Sequence, residues 1–391
     1  MASPVDTSVK FTHARLPGAL DFGSGAGAMI SLLDAFLVNG YALKSVDSGV
    51  IADGICTLTF SSGAGPYMKD TVILVAGATP TALNGEQKLT AATENSVSFA
   101  TDLPDGTVTG TVTFKCAPCG WEKVYSKTNV AVYRPTDIRS SRFYLRVDHT
   151  DASYARVMMY EAMTSVDSGT NGIPTSAVVS GGYYWHCGSN AGKDFMLFGD
   201  GAALLFAMSL SQRVTDNEVS GMAVYFAGDI VSYRSGDVAS GVLTGNTSTS
   251  SGTNYGSLFS SYGSAYHSML RSASGFGRGL TADKLGGWSN YVSGGSSQPL
   301  GPVLLSADAK ARYAPVLISN GGTFASTGVR GEFAGALACI NSGALDAFGS
   351  VRSVVEVERG DSKRYMTVPV GDVTNSSAAG LGFVDITGPW R

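Results

Sequence analysis

The amino-acid sequence predicts a mainly β protein with two parts. A small N-terminal α+β module is expected over residues 1–135, with one helix on an antiparallel sheet, followed by a larger β-sandwich-like body over residues 136–391. Three observations predict this fold. Short runs of alternating apolar and polar residues recur about every ten residues. Glycine accounts for 50 of the 391 residues, which indicates many turns, and only one stretch has a clear helical period.

The single predicted helix covers residues 27–39. Its apolar residues recur at intervals of three and four, so they share one face that must pack against another element. Gly40 stands where a helix commonly ends. The residues of the apolar face are Met29, Leu32, Leu33, Phe36 and Leu37.

Alternating, β-branched runs follow the helix and predict short antiparallel strands. Turn dipeptides such as Asn84-Gly85, Glu94-Asn95 and Asp105-Gly106 separate them. Pro135 then interrupts the pattern, because proline restricts both its own backbone and that of the preceding residue. We therefore place a domain boundary there. The predicted strands lie in residues 49–60, 70–78, 86–93, 96–101 and 107–115.

The second part repeats the strand signals. A hairpin is predicted around Gly199-Asp200-Gly201, between two apolar runs, and a turn is predicted at residues 358–362. Further strands are expected after residue 300. The earlier predicted strands of this part lie in residues 142–149, 155–163, 181–187, 193–200, 203–210 and 222–233.

A Ser/Gly/Tyr-rich excursion covers residues 244–299. It has too few apolar residues in any period to offset the roughly 1–2 kcal/mol of backbone entropy lost per ordered residue. We therefore expect an interaction arm, ordered chiefly by a neighbouring protein. Scattered aromatic and apolar anchors would make the contacts: Tyr255, Phe259, Tyr262, Tyr266, Leu270, Phe276, Trp288 and Tyr291.

Composition and charge exclude several classes of protein. The 31 acidic and 27 basic residues give a net charge of -4 without a run of Lys and Arg, so no nucleic-acid partner is expected. No stretch reaches the ~18 apolar residues of a membrane span, and residues 1–10 lack a signal-peptide pattern. The five cysteines are an odd number, which indicates mostly reduced thiols.

Cys116 and Cys119 have the spacing of a zinc or redox pair. A four-ligand zinc site needs a second such pair, and the sequence has none. A redox pair needs its first thiol at a helix N-terminus, whereas Cys116 ends a predicted strand. We expect two thiols in a turn, free or bonded to each other, with no metal and no catalytic role.

Other candidate sites are equally weak. His186 and Cys187 are adjacent in a strand, so their side chains point to opposite faces. The glycine-rich residues 23–29 lack the Gly-Lys-Ser/Thr of a phosphate loop. Carboxylate pairs could hydrolyse glycosides, but no spacing singles out a pair and turn-forming aspartate is commoner. We thus predict no catalytic, cofactor-binding or metal-binding residue. The carboxylates considered are Asp148, Asp151, Glu161, Asp200, Asp229 and Asp237.

The chain resembles a poorly characterised family of virion structural proteins from tailed bacteriophages and prophages. The resemblance covers residues 8–245 and the end of the chain, and does not extend to residues 244–299, where the excursion lies. The segments that carry it are residues 32–48, 76–88, 106–135, 142–175, 199–201, 226–237 and 383–391.

The resemblance implies a non-enzymatic virion component, and we expect it in the tail, the tail tip or baseplate, or the tail-fibre attachment region. Its partners would be further copies of itself, as a symmetric homo-oligomer, and other virion proteins, with assembly in the host bacterial cytoplasm. A capsid decoration or head-fibre protein is the alternative within this class. A receptor module that binds host surface glycan is another, and would carry aromatic side chains on one exposed face. A depolymerase would need two carboxylates about 5 to 10 Å apart in a groove.

Overall fold

The computed structural model describes most of the chain and shows a mainly β protein, as predicted. Large antiparallel sheets form a sandwich-like body, preceded by a short helix and a smaller sheet. No helix among the described residues has the length and apolar character that crossing a bilayer requires. The described residues are 3–188, 193–209, 221–237, 239–249, 258–259, 265–285, 304–305, 312–339, 354–356, 363–371 and 379–391.

The predicted helix is present and ends where expected. Its first part, α1 (Ala28–Leu33), continues directly into a π-helical segment, Asp34–Asn39. Gly40 follows with φ of 71°, a conformation that glycine adopts readily, and the chain turns there into the first strand of the smaller sheet. All five residues of the predicted apolar face are buried.

The smaller sheet has eight strands in the order β2-β9-β5-β6-β7-β4-β3-β8 and encloses its own core, in which Phe60 and Phe114 meet edge to face with ring centroids 5.4 Å apart. A 3-10 turn, Thr81–Leu83, precedes β6. The strands up to this point are β1 (Lys10–His13), β2 (Tyr41–Ser45), β3 (Ser48–Ala52), β4 (Ile55–Thr59), β5 (Val72–Ala76), β6 (Gly85–Ala92), β7 (Ser96–Ala100), β8 (Gly106–Val108) and β9 (Thr113–Cys116).

One predicted strand is in fact a hairpin. Residues 49–60 were expected to form a single run, but β3 and β4 pair across a tight turn at Asp53 and Gly54. These two residues have φ of 51° and 75°. Two successive positive φ values match the twist of a two-residue hairpin, and Asp-Gly is a favoured sequence for it.

A second sheet of twelve strands forms the centre of the molecule. Ten of its strands follow the path β1-β17-β18-β19-β21-β16-β13-β12-β11-β10, and β22 and β23 extend it from β21. A separate hairpin consists of β14 and β15. The strands of this region are β10 (Trp121–Lys127), β11 (Val130–Pro135), β12 (Tyr144–Asp148), β13 (Tyr154–Tyr160), β14 (Ala162–Ser165), β15 (Ser168–Thr170), β16 (Tyr183–His186), β17 (Phe195–Gly199), β18 (Ala203–Ser209), β19 (Met222–Asp229), β20 (Val231–Ser232), β21 (Gly241–Asn246), β22 (Ala265–Met269) and β23 (Leu280–Ala282).

The central sheet is curled, so that its two ends approach each other beside the helix. The indole Nε1 of Trp121, at the start of β10, donates a 2.9 Å hydrogen bond to the carbonyl of Asp200, directly after β17. The backbone N–H of Cys119 donates to the carbonyl of Phe36 in the helix. The buried face of the helix therefore lies in the core enclosed by the curled sheet, together with Trp185.

A third sheet packs on the other side of β17, β18 and β19. Val316, Phe333 and Val368 of this sheet share a core with Phe198 and Leu205 of the central sheet. Its path is β24-β26-β27-β30-β29-β28, with β20 and β25 attached. Its later elements are β24 (Lys284–Leu285), β25 (Leu304–Leu305), β26 (Arg312–Ser319), α2 (Phe324–Thr327), β27 (Val329–Cys339), β28 (Val354–Glu356), β29 (Arg364–Gly371) and β30 (Ala379–Asp385).

The predicted hairpin at residues 199–201 is confirmed by the pairing of β17 with β18. The predicted boundary at residue 135 stays a prediction. Strands β1, β10 and β11 precede it and still belong to the central sheet, so this sheet draws on both sides of the boundary. The predicted turn at residues 358–362 lies outside the described residues.

The excursion at residues 244–299 requires a correction. Its described parts pack into this chain's own cores, whereas we expected ordering by a neighbour. β22 joins the central sheet, and Leu258 and Phe259 are 1% and 0% exposed in the core between the two larger sheets. The few apolar residues suffice because each fills a core position. Tyr266 and Phe276 remain exposed. Four predicted anchors lie outside the described residues: Tyr255, Tyr262, Trp288 and Tyr291.

Candidate functional site

The two cysteines of the Cys-Ala-Pro-Cys turn are free and point into different cores. Cys116 belongs to the core of the smaller sheet and Cys119 to the core around the helix. Burial raises the pKa of Cys116 to about 12 and that of Cys119 further. Both thiols are therefore protonated at neutral pH, a poor state for ligating metal or attacking a substrate. The described residues contain no cluster of three or more metal-ligating side chains.

His186 and Cys187 also diverge, as the strand alternation predicts. The Sγ of Cys187 lies 3.7 Å from the Sδ of Met29 in the helix core. The Nε2 of His186 instead lies 3.2 Å from the Nζ of Lys193. The pair is not arranged as a nucleophile and its base.

The six candidate carboxylates each have a structural partner. Asp229 accepts hydrogen bonds from the backbone and hydroxyl of Ser141 and from Ser240. Asp237 pairs with the buried guanidinium of Arg330 at 2.7 Å. The other four are bound in a similar way: Asp148 to Arg146 and Thr150, Asp151 to the backbone of Ser153, Glu161 to Arg271 and Asn171, and Asp200 to Arg391 and the backbone of Ala202 and Ala203.

The glycine-rich residues 23–29 lead into the helix beside an open groove of about 410 Å³. The backbone N–H of Gly27 is already used, because it donates to the carbonyl and to the Nδ1 of His149, both at 2.9 Å. This segment therefore serves to attach the start of the helix to the end of β12.

The most distinctive surface lies on the outer side of the central sheet. Along β12 and β13 the inward residues are buried and the outward residues are half-buried, in strict alternation. The outward residues combine aromatic rings with cations, and we call this surface the tyrosine–arginine face. It is formed by Arg134, Tyr144, Tyr154, Arg156, Tyr160 and Tyr184.

Cations lie over aromatic rings within this face. The guanidinium carbon of Arg156 is 3.7 Å from the ring centroid of Tyr184, and that of Arg134 is 5.2 Å from the ring of Tyr144. Tyr154 packs edge-on against Tyr184, with centroids 6.1 Å apart. Such contacts hold planar groups in a fixed arrangement.

The β14–β15 hairpin covers one end of the tyrosine–arginine face. Arg146 donates to the carbonyl of Val166 at 2.8 Å and pairs with Asp167 at 3.0 Å. A side chain at Gly169 would collide with the ring of Tyr160, so this glycine allows the hairpin to lie close. The part formed by Tyr154, Arg156 and Tyr184 lies beyond this cover.

A buried polar cluster adjoins the open end of the face. It contains His186, whose ring packs edge-on against Tyr154 at 5.5 Å, and Lys193. Burial lowers the pKa of His186 to about 4, with a further contribution from the Lys193 charge. Burial also lowers the pKa of Lys193. His186 is therefore neutral at pH 7.

Sequence reasoning considered His186 but missed Lys193 and Arg156. The alternation of Tyr154, Arg156 and Tyr160 along a predicted strand was the available signal, since it places them on one face. Nothing local in the sequence links Lys193 to His186. No protein-family model matches the chain, and no curated protein matches it either.

Proposed function

We propose that the chain is a non-enzymatic structural component of a tailed-phage virion, in the tail, the tail tip or baseplate, or the tail-fibre attachment region. It assembles as a symmetric homo-oligomer with other virion proteins, in the cytoplasm of the host bacterium. The proposal starts from the resemblance of residues 8–245 and the chain end to such proteins. The geometry of the acidic side chains adds the main physical support.

That support is the use of candidate acids as structural clamps. Asp229 ties the end of β19 to the segments before β12 and before β21 through Ser141 and Ser240. Asp237 and Arg330, 1% and 0% exposed in their side chains, join the segment after β20 to β27. A buried ion pair of this kind holds a geometry in place and is costly to break.

The three sheets are also clamped to one another across long sequence separations. Arg364 of β29 pairs with Asp70 beside the smaller sheet. The Nζ of Lys88 in β6 donates a 2.6 Å hydrogen bond to the carbonyl of Thr387. A block held in this way suits a subunit that transmits load and presents extended contact surfaces.

The test is the protein composition of purified particles. Particles of the phage or induced prophage that encodes the chain are purified on a density gradient and analysed by mass spectrometry, and by gold labelling of a tagged chain. We expect a constant, multiple copy number per particle, with label at the tail. A lysate of the uninduced host is the control. Absence from the particles would refute the proposal, and label on the head would favour the capsid alternative.

One observation favours a second candidate, a module that binds host surface glycan. Tyr154, Arg156 and Tyr184 stand together on the outer side of the sheet, and tyrosine offers contact area at little entropic cost. Binding of the isolated chain to host polysaccharide, weakened by Tyr154→Ala and unchanged by Tyr41→Phe in another part of the fold, would support it. Equal binding by both variants would exclude this face.

A further inference from the structure

The ammonium group of Lys193 is buried beside a neutral partner. Lys193 is 8% exposed, and its Nζ lies 3.2 Å from the Nε2 of His186. Among the described residues no carboxylate contacts it, and the thiol of Cys187 is the only other group that acts on its pKa. Burying a cation without a counter-charge is costly. The environment therefore favours an anion next to Lys193.

His186 adds a hydrogen-bond donor without an acceptor. An ammonium can only donate, so the Nε2 of His186 must accept from Lys193. Because the ring is neutral, its single proton then lies on Nδ1. This Nδ1 is buried without a hydrogen-bond partner, in a residue that is 8% exposed. An unmatched buried donor costs about 1–3 kcal/mol, which a ligand oxygen would recover.

Two further unmatched polar atoms lie in the adjacent positions of the sheet. The register pairs Tyr154 with His186, Arg156 with Tyr184, and Tyr184 with Asn246. The Nε of Arg156 and the Oδ1 of Asn246 are buried without partners. The Nη2 of Arg156 donates only to carbonyl oxygens, those of Ser180 and Gly182. A second cation without a carboxylate thus stands close to the first.

The backbone is shaped to hold Lys193 in this place. Gly188 has φ of 75°, a conformation that favours glycine, and a side chain there would overlap the aliphatic stem of Lys193. The lysine can fold back onto His186 because this position has no Cβ. The arrangement is therefore a built feature and not a chance approach of two side chains.

We propose that Lys193, His186 and Arg156 form a binding subsite for an oxyanion, with the carboxylate of an acidic sugar as the ligand class. The anion accepts from Lys193 and from the Nδ1–H of His186, and it supplies the missing counter-charge. Tyr154 packs against His186 at 5.5 Å and against Tyr184 at 6.1 Å, so an aromatic wall for the sugar ring lies between the two cationic groups. The subsite stands whether or not the chain is a virion component.

The test compares two buried lysines in the full chain. Lys193→Met removes the ammonium with little change in volume. Lys88→Met is the matched control, because burial also lowers the pKa of Lys88 but its Nζ donates to Thr387, and Asp6, Asp70 and Asp385 supply negative charge. Wild type and both variants are titrated with glucuronate, inorganic phosphate and neutral glucose, by calorimetry and by thermal unfolding.

We expect glucuronate to bind the wild type and Lys88→Met and to raise their melting temperatures, while glucose does not. Lys193→Met should lose roughly tenfold or more in affinity, as for a charge-assisted hydrogen bond. It should also melt at a higher temperature than wild type without ligand, since an uncompensated charge is gone. A stronger response to phosphate would assign a phosphorylated ligand as the source of the oxyanion.

A second measurement separates binding from folding effects. The ring nitrogens of His186 are followed by NMR during an acid titration, where the folded-state pKa is about 4. Bound anion should raise this midpoint in the wild type and in Lys88→Met. No binding of either anion at tens of millimolar, or undiminished binding by Lys193→Met, would overturn the proposal.

Discussion

The two halves of the central sheet have the same pairing but opposite exposure. In β17, β18 and β19 every residue is buried, because the helix core covers one side and the third sheet covers the other. In β12 and β13 burial alternates residue by residue, because only the inner side is covered. The first half is structural on both faces, and the second leaves one face for contacts.

The sequences of the two halves reflect this difference. A strand covered on both sides is apolar throughout, as in residues 203–209, whereas a strand covered on one side alternates, as in residues 154–160. The unmatched polar atoms of Arg156, His186 and Asn246 all lie at the open half or its border. The comparison therefore indicates where a ligand or partner is to be sought.

The largest contrast is expected from truncating one side chain in each half. Phe206→Ala removes a ring that is fully buried and stacked on Trp185 at 5.9 Å. We expect the free energy of unfolding to fall by about 4–5 kcal/mol. Met158→Ala, on the outer side of β13, should cost less than about 1 kcal/mol. Urea denaturation followed by circular dichroism measures both, and equal losses would contradict the comparison.

The core between the two larger sheets gives a second contrast, within the Ser/Gly/Tyr-rich segment. Phe259 is 0% exposed and packs closely on Gly382, whereas Phe276 is 80% exposed. Phe259→Ala should lower the free energy of unfolding by about 3–4 kcal/mol, and Phe276→Ala should leave it nearly unchanged. The same denaturation experiment applies. If Phe259→Ala were also neutral, the segment would again be a candidate for an arm ordered by a neighbour.

Histidines from both halves should make stability depend on pH. Burial lowers the pKa of His186 to about 4 and that of His267, between the covered sheets, to about 3, from an ordinary 6.5. Between 6.5 and these values only the unfolded chain gains protons. Stability is thus full above pH 6.5 and falls below it, by roughly 1.4 kcal/mol per pH unit for each histidine.

Denaturation midpoints between pH 7.5 and 5 test this expectation. His186→Gln and His267→Gln should each make the dependence on pH shallower, because each removes one group that the unfolded chain protonates. A wild-type midpoint that is constant over this range would contradict the burial of both rings.

The smallest effect is expected on the open face. Arg156→Met removes the cation over Tyr184 and the hydrogen bonds to Ser180 and Gly182. We expect a loss of about 1 kcal/mol and a shift of the Tyr184 ring resonances in NMR spectra. Arg134→Met, whose guanidinium is farther from its ring, should have a smaller effect on its own tyrosine. A loss as large as that of Phe206→Ala would mean that the face is part of the core.

Local patterns predicted much of the fold. The spacing of Met29, Leu33 and Phe36 identified the helix, Gly40 its end, and residues 199–201 a hairpin. These features depend on residues that are close in sequence. The pairing of β1 with β17, and the approach of Trp121 to Asp200, depend on residues far apart, and no local pattern encodes them.

The polar cluster at the open half shows the same limit. His186 attracted notice because it stands beside Cys187, but alternation placed the two on opposite sides. Lys193 reaches His186 only because Gly188 lets its stem fold back. The carboxylates could be named from the sequence, but their structural roles required their partners, such as Arg330 for Asp237.

The most direct test of the central claim is a cryo-EM reconstruction of purified particles. The account predicts symmetric copies of this chain in the tail, the tail tip or baseplate, or the fibre attachment region, with β17, β18 and β19 enclosed within each copy. It also predicts that the tyrosine–arginine face is turned towards a partner or towards solvent. A reconstruction of complete particles that lacks this chain would contradict the account.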